Sequence, residues 1–372
     1  MKKEYVDIKD ENLLKAINRV LGKCERDGKV TKKEMESLNS LYISFEGVED
    51  ISGLEYAINL EDLYLVGNRI KDISPLKGLN SLKLLDLKNN EVEDISILGN
   101  LTQLKGLTLS DNKIERIDSI RNLINLEYLR LWNNDIVDIS PLSNLINLRS
   151  LELNGNNVED ISHLHNLIKL EELILDENRI EDISAISRLV NLTKLNISCN
   201  KIEDLSPLKN LRRLNDLNLS KNEIKDVGVL GEQVNLWYLN LSNNKIKDIY
   251  PLKRFTELRD LNLSLNKIEY IFSFEDFLWL EEVDVSNNNI KDISLLKYNL
   301  KDEDFVYFAE NQKVYISNFA SVKIRNISDE SVKIEKLNKI NSLDNVKEDE
   351  VVLATFGNLN GKFNGKIILS ID

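Results

Sequence analysis

Apolar residues recur along this chain at a fixed interval of 22 residues. Leu60, Leu63, Leu65, Asn68, Ile70, Ile73, Leu76 and Leu79 return as Leu82, Leu85, Leu87, Asn90, Val92, Ile95, Leu98 and Leu101. The asparagine reappears without a slip at Asn112, Asn134, Asn156, Asn178, Asn200, Asn222, Asn244, Asn266 and Asn288. One earlier copy runs Leu38, Leu41, Ile43, Val48, Ile51, Leu54, with Glu46 in the asparagine slot. Twelve copies thus extend from Leu38 to roughly Asn299 with no insertion. Such a period belongs to arrays in which each unit stacks only on its neighbours.

Two shorter patterns lie inside each copy. Leu63 and Leu65 alternate with Asp62, Tyr64 and Val66, a period of two that predicts a short strand. One strand cannot bury its leucines alone, so successive copies must stack to make a continuous core. The asparagine is expected to turn the chain after the strand. Its amide has two donors and an acceptor and can bond the backbone of adjacent turns as a ladder. Further on, Asp50, Asp72, Asp94, Asp138, Asp160, Asp182, Asp204, Asp226, Asp248 and Asp292 precede Ile-Ser-Pro-Leu or a variant of it. An acid followed by Ser-Pro suits capping of a short helical turn. The return segment of about 13 residues favours a 3₁₀ turn over a full α-helix. The expected fold is an α/β solenoid, with parallel strands on a concave face and 3₁₀ or irregular turns on the convex side. Upstream, Leu13, Leu14, Ile17, Val20 and Leu21 mark an apolar helix, and Thr31 with Glu34 forms a capping box for a second, shorter one.

The repeat Leu-x-x-Leu-x-Leu-x-x-Asn-x-Ile-x-Asp-Ile-Ser-Pro-Leu resembles that of the bacterial internalins, a family of leucine-rich-repeat proteins. The upstream helices and the hand-over Gly53-Leu54-Glu55-Tyr56-Ala57-Ile58-Asn59-Leu60 resemble that family's helical cap. Downstream, 311–316 and 361–367 look like the first and last strands of its immunoglobulin-like module, with further β segments at 322–327 and 351–356. The resemblance implies a leucine-rich-repeat horseshoe in three parts: a helical cap (1–37), an array (38–298) and a small all-β module (299–372). It also implies protein recognition, as a surface or secreted adhesin or effector. An intracellular adaptor, similar to the phosphatase-regulating leucine-rich-repeat subunits, is the alternative.

Composition narrows the partners. The chain has 372 residues and a formal net charge of -13, which works against nucleic acid and against an anionic membrane surface. No stretch approaches the roughly 18 apolar residues of a membrane span. Lys2 and Lys3 are followed by no apolar run, so the amino terminus does not read as a signal peptide. A cytoplasmic protein, or an exported one with its leader removed, both fit. Cys24 and Cys199 are far apart and read as free thiols.

Chemistry-bearing motifs are few. Lys23 to Glu34 aligns with a twelve-residue calcium loop through Glu25, Asp27, Gly28, Val30 and Glu34, but Lys23 puts a cation in the first ligand slot. His163 and His165 fall in a return segment with no third ligand to join them. No catalytic residue, metal, cofactor or small-molecule substrate is expected. The informative positions flank the core leucines of the strands. From Asn196 on they are monotonous: Asn196, Ser198, Asn218, Ser220, Asn240, Ser242, Asn262, Ser264. Earlier they are varied and large: Tyr42, Tyr64, Asp86, Tyr128, Arg130, Trp132, Glu152, Glu172, Ile174 and Asp176. Exposed Tyr, Trp and Arg anchor protein interfaces, so these ten residues are the candidate partner-binding face. The acidic flanks predict a protein partner with a basic patch. Phe272 and Trp279 stand in slots that are polar elsewhere, and Phe272, Leu278 and Trp279 are expected to pack against a neighbouring segment.

Overall fold

The computed structural model describes residues 4–23, 28–232, 235–272 and 276–290, with the backbone of 305–307 and 323–325. The chain divides into two compact units, Met1–Leu192 and Thr193–Asp372.

The first unit begins with α1 (Glu11–Val20) and α2 (Lys32–Glu36). Asp10 caps α1 by accepting from the backbone N–H groups of Asn12 and Leu13. Its second oxygen accepts from Glu49 and Asp50 at 2.8 and 3.2 Å, tying the helix to the first repeat. Burial alone would raise this carboxyl, yet the four N–H groups hold it below its ordinary value. The Thr31–Glu34 capping box forms as the spacing predicts.

Seven strands follow in this unit: β1 (Ser40–Tyr42), β2 (Asp62–Tyr64), β3 (Leu84–Asp86), β4 (Gly106–Thr108), β5 (Tyr128–Arg130), β6 (Ser150–Glu152) and β7 (Glu172–Ile174). Each pairs in parallel with the next, offset by one repeat, as in Tyr42↔Tyr64 and Arg130↔Glu152. The second unit holds β8 (Lys194–Asn196), β9 (Asp216–Asn218), β10 (Tyr238–Asn240), β11 (Asp260–Asn262) and β12 (Glu282–Asp284). Two more parallel strands, β13 (Phe305–Tyr307) and β14 (Lys323–Arg325), extend its ladder. The β module expected over 299–372 otherwise lies outside the described residues.

The central residue of each strand from β1 to β12 is buried, with exposure of 2% or less from Leu41 to Val283. The return segments are 3₁₀ turns of three to five residues, such as Ser74–Leu76 and Ser140–Asn144. The aspartates act one place earlier than an N-cap. Asp72 accepts from the Ser74 N–H at 2.8 Å and from its hydroxyl at 2.9 Å, while the backbone N-cap is Ile73. The acid therefore closes an Asx-type turn that leads into the 3₁₀ segment.

The asparagine ladder is present within each unit. Asn156 Oδ1 accepts from Ile136 N at 3.0 Å, and its Nδ2 donates to the carbonyls of Leu131 and Leu153 at 3.0 and 2.9 Å. The turn itself is made by the preceding residue. Positions 45, 67, 89, 111, 133, 155, 177, 199, 221, 243, 265 and 287 all have φ between 51° and 68°. Left-handed backbone suits Gly, Asn and Asp, yet Phe45, Cys199 and Leu265 occupy it too.

Phe272 is buried and stacks on Phe277 with ring centroids 5.8 Å apart. Leu278 and Trp279 instead remain 67% and 51% exposed, against the expectation of packing. They share columns with Thr256 and Glu257, which are also exposed, so the backbone aims these positions outward whatever side chain they carry.

Candidate functional site

Because side chains alternate along a strand, the residues on either side of each buried leucine face away from the core. In the first unit this face carries three coupled features. At β1 and β2 the Tyr42 and Tyr64 rings stack, with centroids 4.8 Å and planes 10° apart. Tyr42 stays 62% exposed. At β5 and β6 the Arg130 Nε donates to Glu152 at 2.7 Å, and Tyr128 is exposed beside them. Just past the strands, the Lys88 ammonium lies 4.4 Å from the Trp132 ring centroid.

The acidic members are set into the same surface. Asp86 is half-buried, and burial pushes its carboxyl up against the opposing charges of Lys88 and Arg130. Burial also raises Asp176, helped by the neighbouring Glu177. Glu172 accepts from the Ser150 hydroxyl at 3.1 Å, and Ile174 pairs across from Glu152. All ten residues predicted from the sequence fall in the first unit. Of these, Tyr42 and Tyr64 are brought into mutual contact, as are Arg130 and Glu152. Trp132 is half-buried and held by Lys88 rather than standing free beside Tyr128 and Arg130.

Two residues of this surface escape a strand-by-strand reading. Lys88 lies two repeats before Trp132, and Ser110 lies between them. Only reading down the 22-residue column brings the three together. Phe45, 74% exposed at φ 58°, adds to the aromatic end of the face. Its ring lies where any Cβ on Gly67 would come within 2.3 Å, so the glycine makes room for it.

The face of the second unit is quieter and more acidic. Asp216, Tyr238, Asp260 and Glu282 stand side by side across four strands. Burial, then the charges of Glu282, Asp284 and Glu281, push the Asp260 carboxyl up to about 6 from its ordinary 3.8. The folded chain holds this proton more tightly than the unfolded chain. Ionisation therefore destabilises the fold, with no penalty below pH 3.8 and the full penalty above about 6. Asp260→Asn should remove about 1–2 kcal/mol of that strain at pH 7.5, allowing for partial exposure. In calorimetry the variant should melt about 2–4 °C higher at pH 7.5 and no higher at pH 3.5. An equal gain at both pH values would rule out ionisation as the cause.

Other candidates resolve differently. Lys23 Nζ pairs with Glu34 at 2.7 Å and donates to the Lys29 carbonyl at 3.0 Å. The ammonium thus bridges two positions that would ligate calcium in a loop of that length, and it helps hold Glu34 down to about 2. Residues 24–27 of the loop lie outside the described residues. His165 Nδ1 sits 2.7 Å from the Ser162 carbonyl, and His163 is half-buried near Asp160. Among the described residues no group of three His, Cys, Asp or Glu is placed to hold a metal. Cys199 is free among them; Cys24 lies outside them. No described helix is long and apolar enough to cross a membrane. In the second unit, Lys225, Lys245, Lys247 and Lys267 line an open groove of about 510 Å³ with Asp226 and Asp248. Two of those lysines are already paired, with Glu203 and Glu223.

Comparison with known proteins places this arrangement. A sequence profile for a leucine-rich repeat region matches residues 49–324. The crystal structure of an internalin (inlF) from Listeria monocytogenes is 34% identical. That match covers 83% of this chain and 91% of that one, with a TM-score of 0.78. Internalin C2 (inlC2) of the same organism is 37% identical over 55% of this chain and 91% of that one, with a TM-score of 0.54. The plant peptide hormone receptor RGFR1, solved in complex with RGF2, shares the fold at 19% identity over 80% of this chain and 57% of that one, with a TM-score of 0.60. No curated protein matches the chain.

Proposed function

The chain belongs to the leucine-rich-repeat proteins of internalin type, and from that premise we propose that it is a non-catalytic recognition scaffold. It binds a protein on the strand face of its first unit. One observation carries this reading. The repeat needs only the buried leucines and the asparagine ladder, yet the outward positions of β1 to β7 hold Tyr42, Tyr64, Tyr128, Arg130 and Trp132. In the columns of Arg130 and Trp132, the later repeats hold only Asn196, Asn218, Asn240 and Asn262 and Ser198, Ser220, Ser242 and Ser264, while the Tyr128 column continues as Lys194, Asp216, Tyr238 and Asp260. Large aromatic and guanidinium groups on a surface the fold leaves unconstrained are the residue types that concentrate binding energy. The surrounding Asp86, Glu152, Glu172 and Asp176 favour a partner with a basic patch, whose association should slow as salt is raised.

The test compares the immobilised wild type with a Tyr42→Ala/Tyr128→Ala/Arg130→Ala variant. Circular dichroism first establishes that both fold alike, as expected for exposed side chains. A captured protein is then purified and its affinity measured for each. The expected loss in the variant is at least tenfold. Equal affinity for both would reject the strand face as the binding surface. The origin of that partner, host or bacterial, separates an adhesin or effector from an internal adaptor.

A further inference from the structure

The Lys88–Trp132 contact spans a third residue. β3, β4 and β5 are adjacent, and their ladder continues past the strands: Asn89 N donates to Ser110 O and Asp111 N to Trp132 O, both at 2.9 Å. Ser110 therefore sits between Lys88 and Trp132, with backbones about 4.8 Å away on either side. A serine is short, so the lysine arm and the indole meet across it with 4.4 Å between Nζ and the ring centroid. Beneath them Ser110 is 0% exposed, and its Oγ has no hydrogen-bond partner. A buried hydroxyl without a partner is uncommon and disfavoured. Here it lies next to an ammonium with three donors, none of which reaches it.

We propose that the Trp132 ring and the Ser110 hydroxyl form a receptor for an arginine side chain of the protein partner, which Lys88 occupies in the free chain as an internal competitor. This rests on the strand-face reading above and adds the chemistry of the partner's anchoring group. The occupied state already shows that the ring takes a cation. A guanidinium fits better than the resident ammonium on two counts. It is planar and more weakly hydrated, so it stacks on an indole at less desolvation cost. It also carries five donors in a fixed fork, so one N–H can reach the serine oxygen while the plane covers the ring. Asp86, two residues from Lys88, and Asp176, two repeats along from Trp132, set an acidic rim that draws cations toward the receptor.

The probe is acetyl-tetra-arginine amide, with tetra-lysine and the uncharged tetra-citrulline peptides as controls. Binding is read from Trp132 fluorescence in a Trp237→Phe/Trp279→Phe background, since both removed tryptophans are exposed. Measurements run at about 0.5 M salt, where the Debye length of about 4 Å mutes long-range charge. Tetra-arginine should bind more tightly than tetra-lysine, and citrulline should not bind. Lys88→Met should tighten arginine binding about two- to fivefold, the range of one exposed cation–π contact. That gain should vanish when Trp132→Leu is added, with the remaining peptide binding followed by calorimetry. Ser110→Ala, which removes only an unpartnered hydroxyl and should fold normally, should reduce the preference for arginine over lysine to what stacking on Trp132 alone provides. Absence of saturable binding, or a Lys88→Met gain that persists without Trp132, overturns the receptor. Binding lost in Tyr128→Ala/Arg130→Ala but indifferent to Lys88, Ser110 and Trp132 also overturns it, while leaving the strand-face reading intact.

Discussion

Asn156→Leu should destabilise the first unit by about 3–5 kcal/mol, because three hydrogen bonds are lost at a site that water cannot reach. Asn156 is 8% exposed. Its removal strands the Ile136 N–H and takes one of two amide donors from each of the carbonyls of Leu131 and Leu153, groups belonging to two adjacent repeats. Leucine is close in volume, so the change isolates the polar contribution from any cavity. Urea unfolding followed by circular dichroism measures it as a lower midpoint with the slope preserved. A loss below about 1 kcal/mol would mean that the ladder accompanies the fold without stabilising it. Because the amide stitches neighbours together, the effect should exceed that of breaking an exposed inter-repeat ion pair such as Lys83–Glu61, which contributes about 1 kcal/mol at most.

Phe255→Ala should cost the second unit about 3–5 kcal/mol, since truncating a buried phenylalanine adds a cavity to the lost transfer energy. Phe255 is fully buried and among the largest such side chains in the chain. It stands in a column that is leucine in most repeats, at Leu79, Leu101, Leu123, Leu145, Leu167, Leu189 and Leu211. Phe255→Leu restores the column's usual residue and should still cost about 1–2 kcal/mol, because the surrounding side chains are packed for a ring. Should the leucine variant match or exceed the wild type in thermal and urea unfolding, this part of the core would be loosely packed.

The fold was largely legible because burial here is periodic. A residue such as Leu151 is core for the same reason as Leu129 and Leu173, and a local pattern repeated twelve times leaves few alternative folds. The capping box at Thr31 and Glu34 and the brevity of the 3₁₀ turns were equally readable, each being decided within a few residues of chain. The candidate face was legible as a departure from that period, since Tyr128 and Arg130 stand out against the uniform Asn and Ser of later copies. What the pattern missed was local backbone geometry that residue type does not encode. The Asx role of Asp72 depends on which backbone N–H comes within reach, and the capping preference alone suggested an N-cap. The exposure of Leu278 and Trp279 depends on an outward column, and hydrophobicity alone suggested burial.

The sequence by itself determined the repeat, the buried columns, the asparagine ladder and the set of outward residues, because each follows from the chain's own spacing and hydrogen-bonding capacity. Only the tertiary structure decided which of those outward residues touch. Parallel pairing with a one-repeat offset puts Arg130 beside Glu152 and Tyr42 on Tyr64, residues 22 apart in the chain. It also brings Lys88 across Ser110 to Trp132, over 44 residues. Contacts of this kind depend on strand separation and side-chain length, quantities set by stacking one repeat on the next.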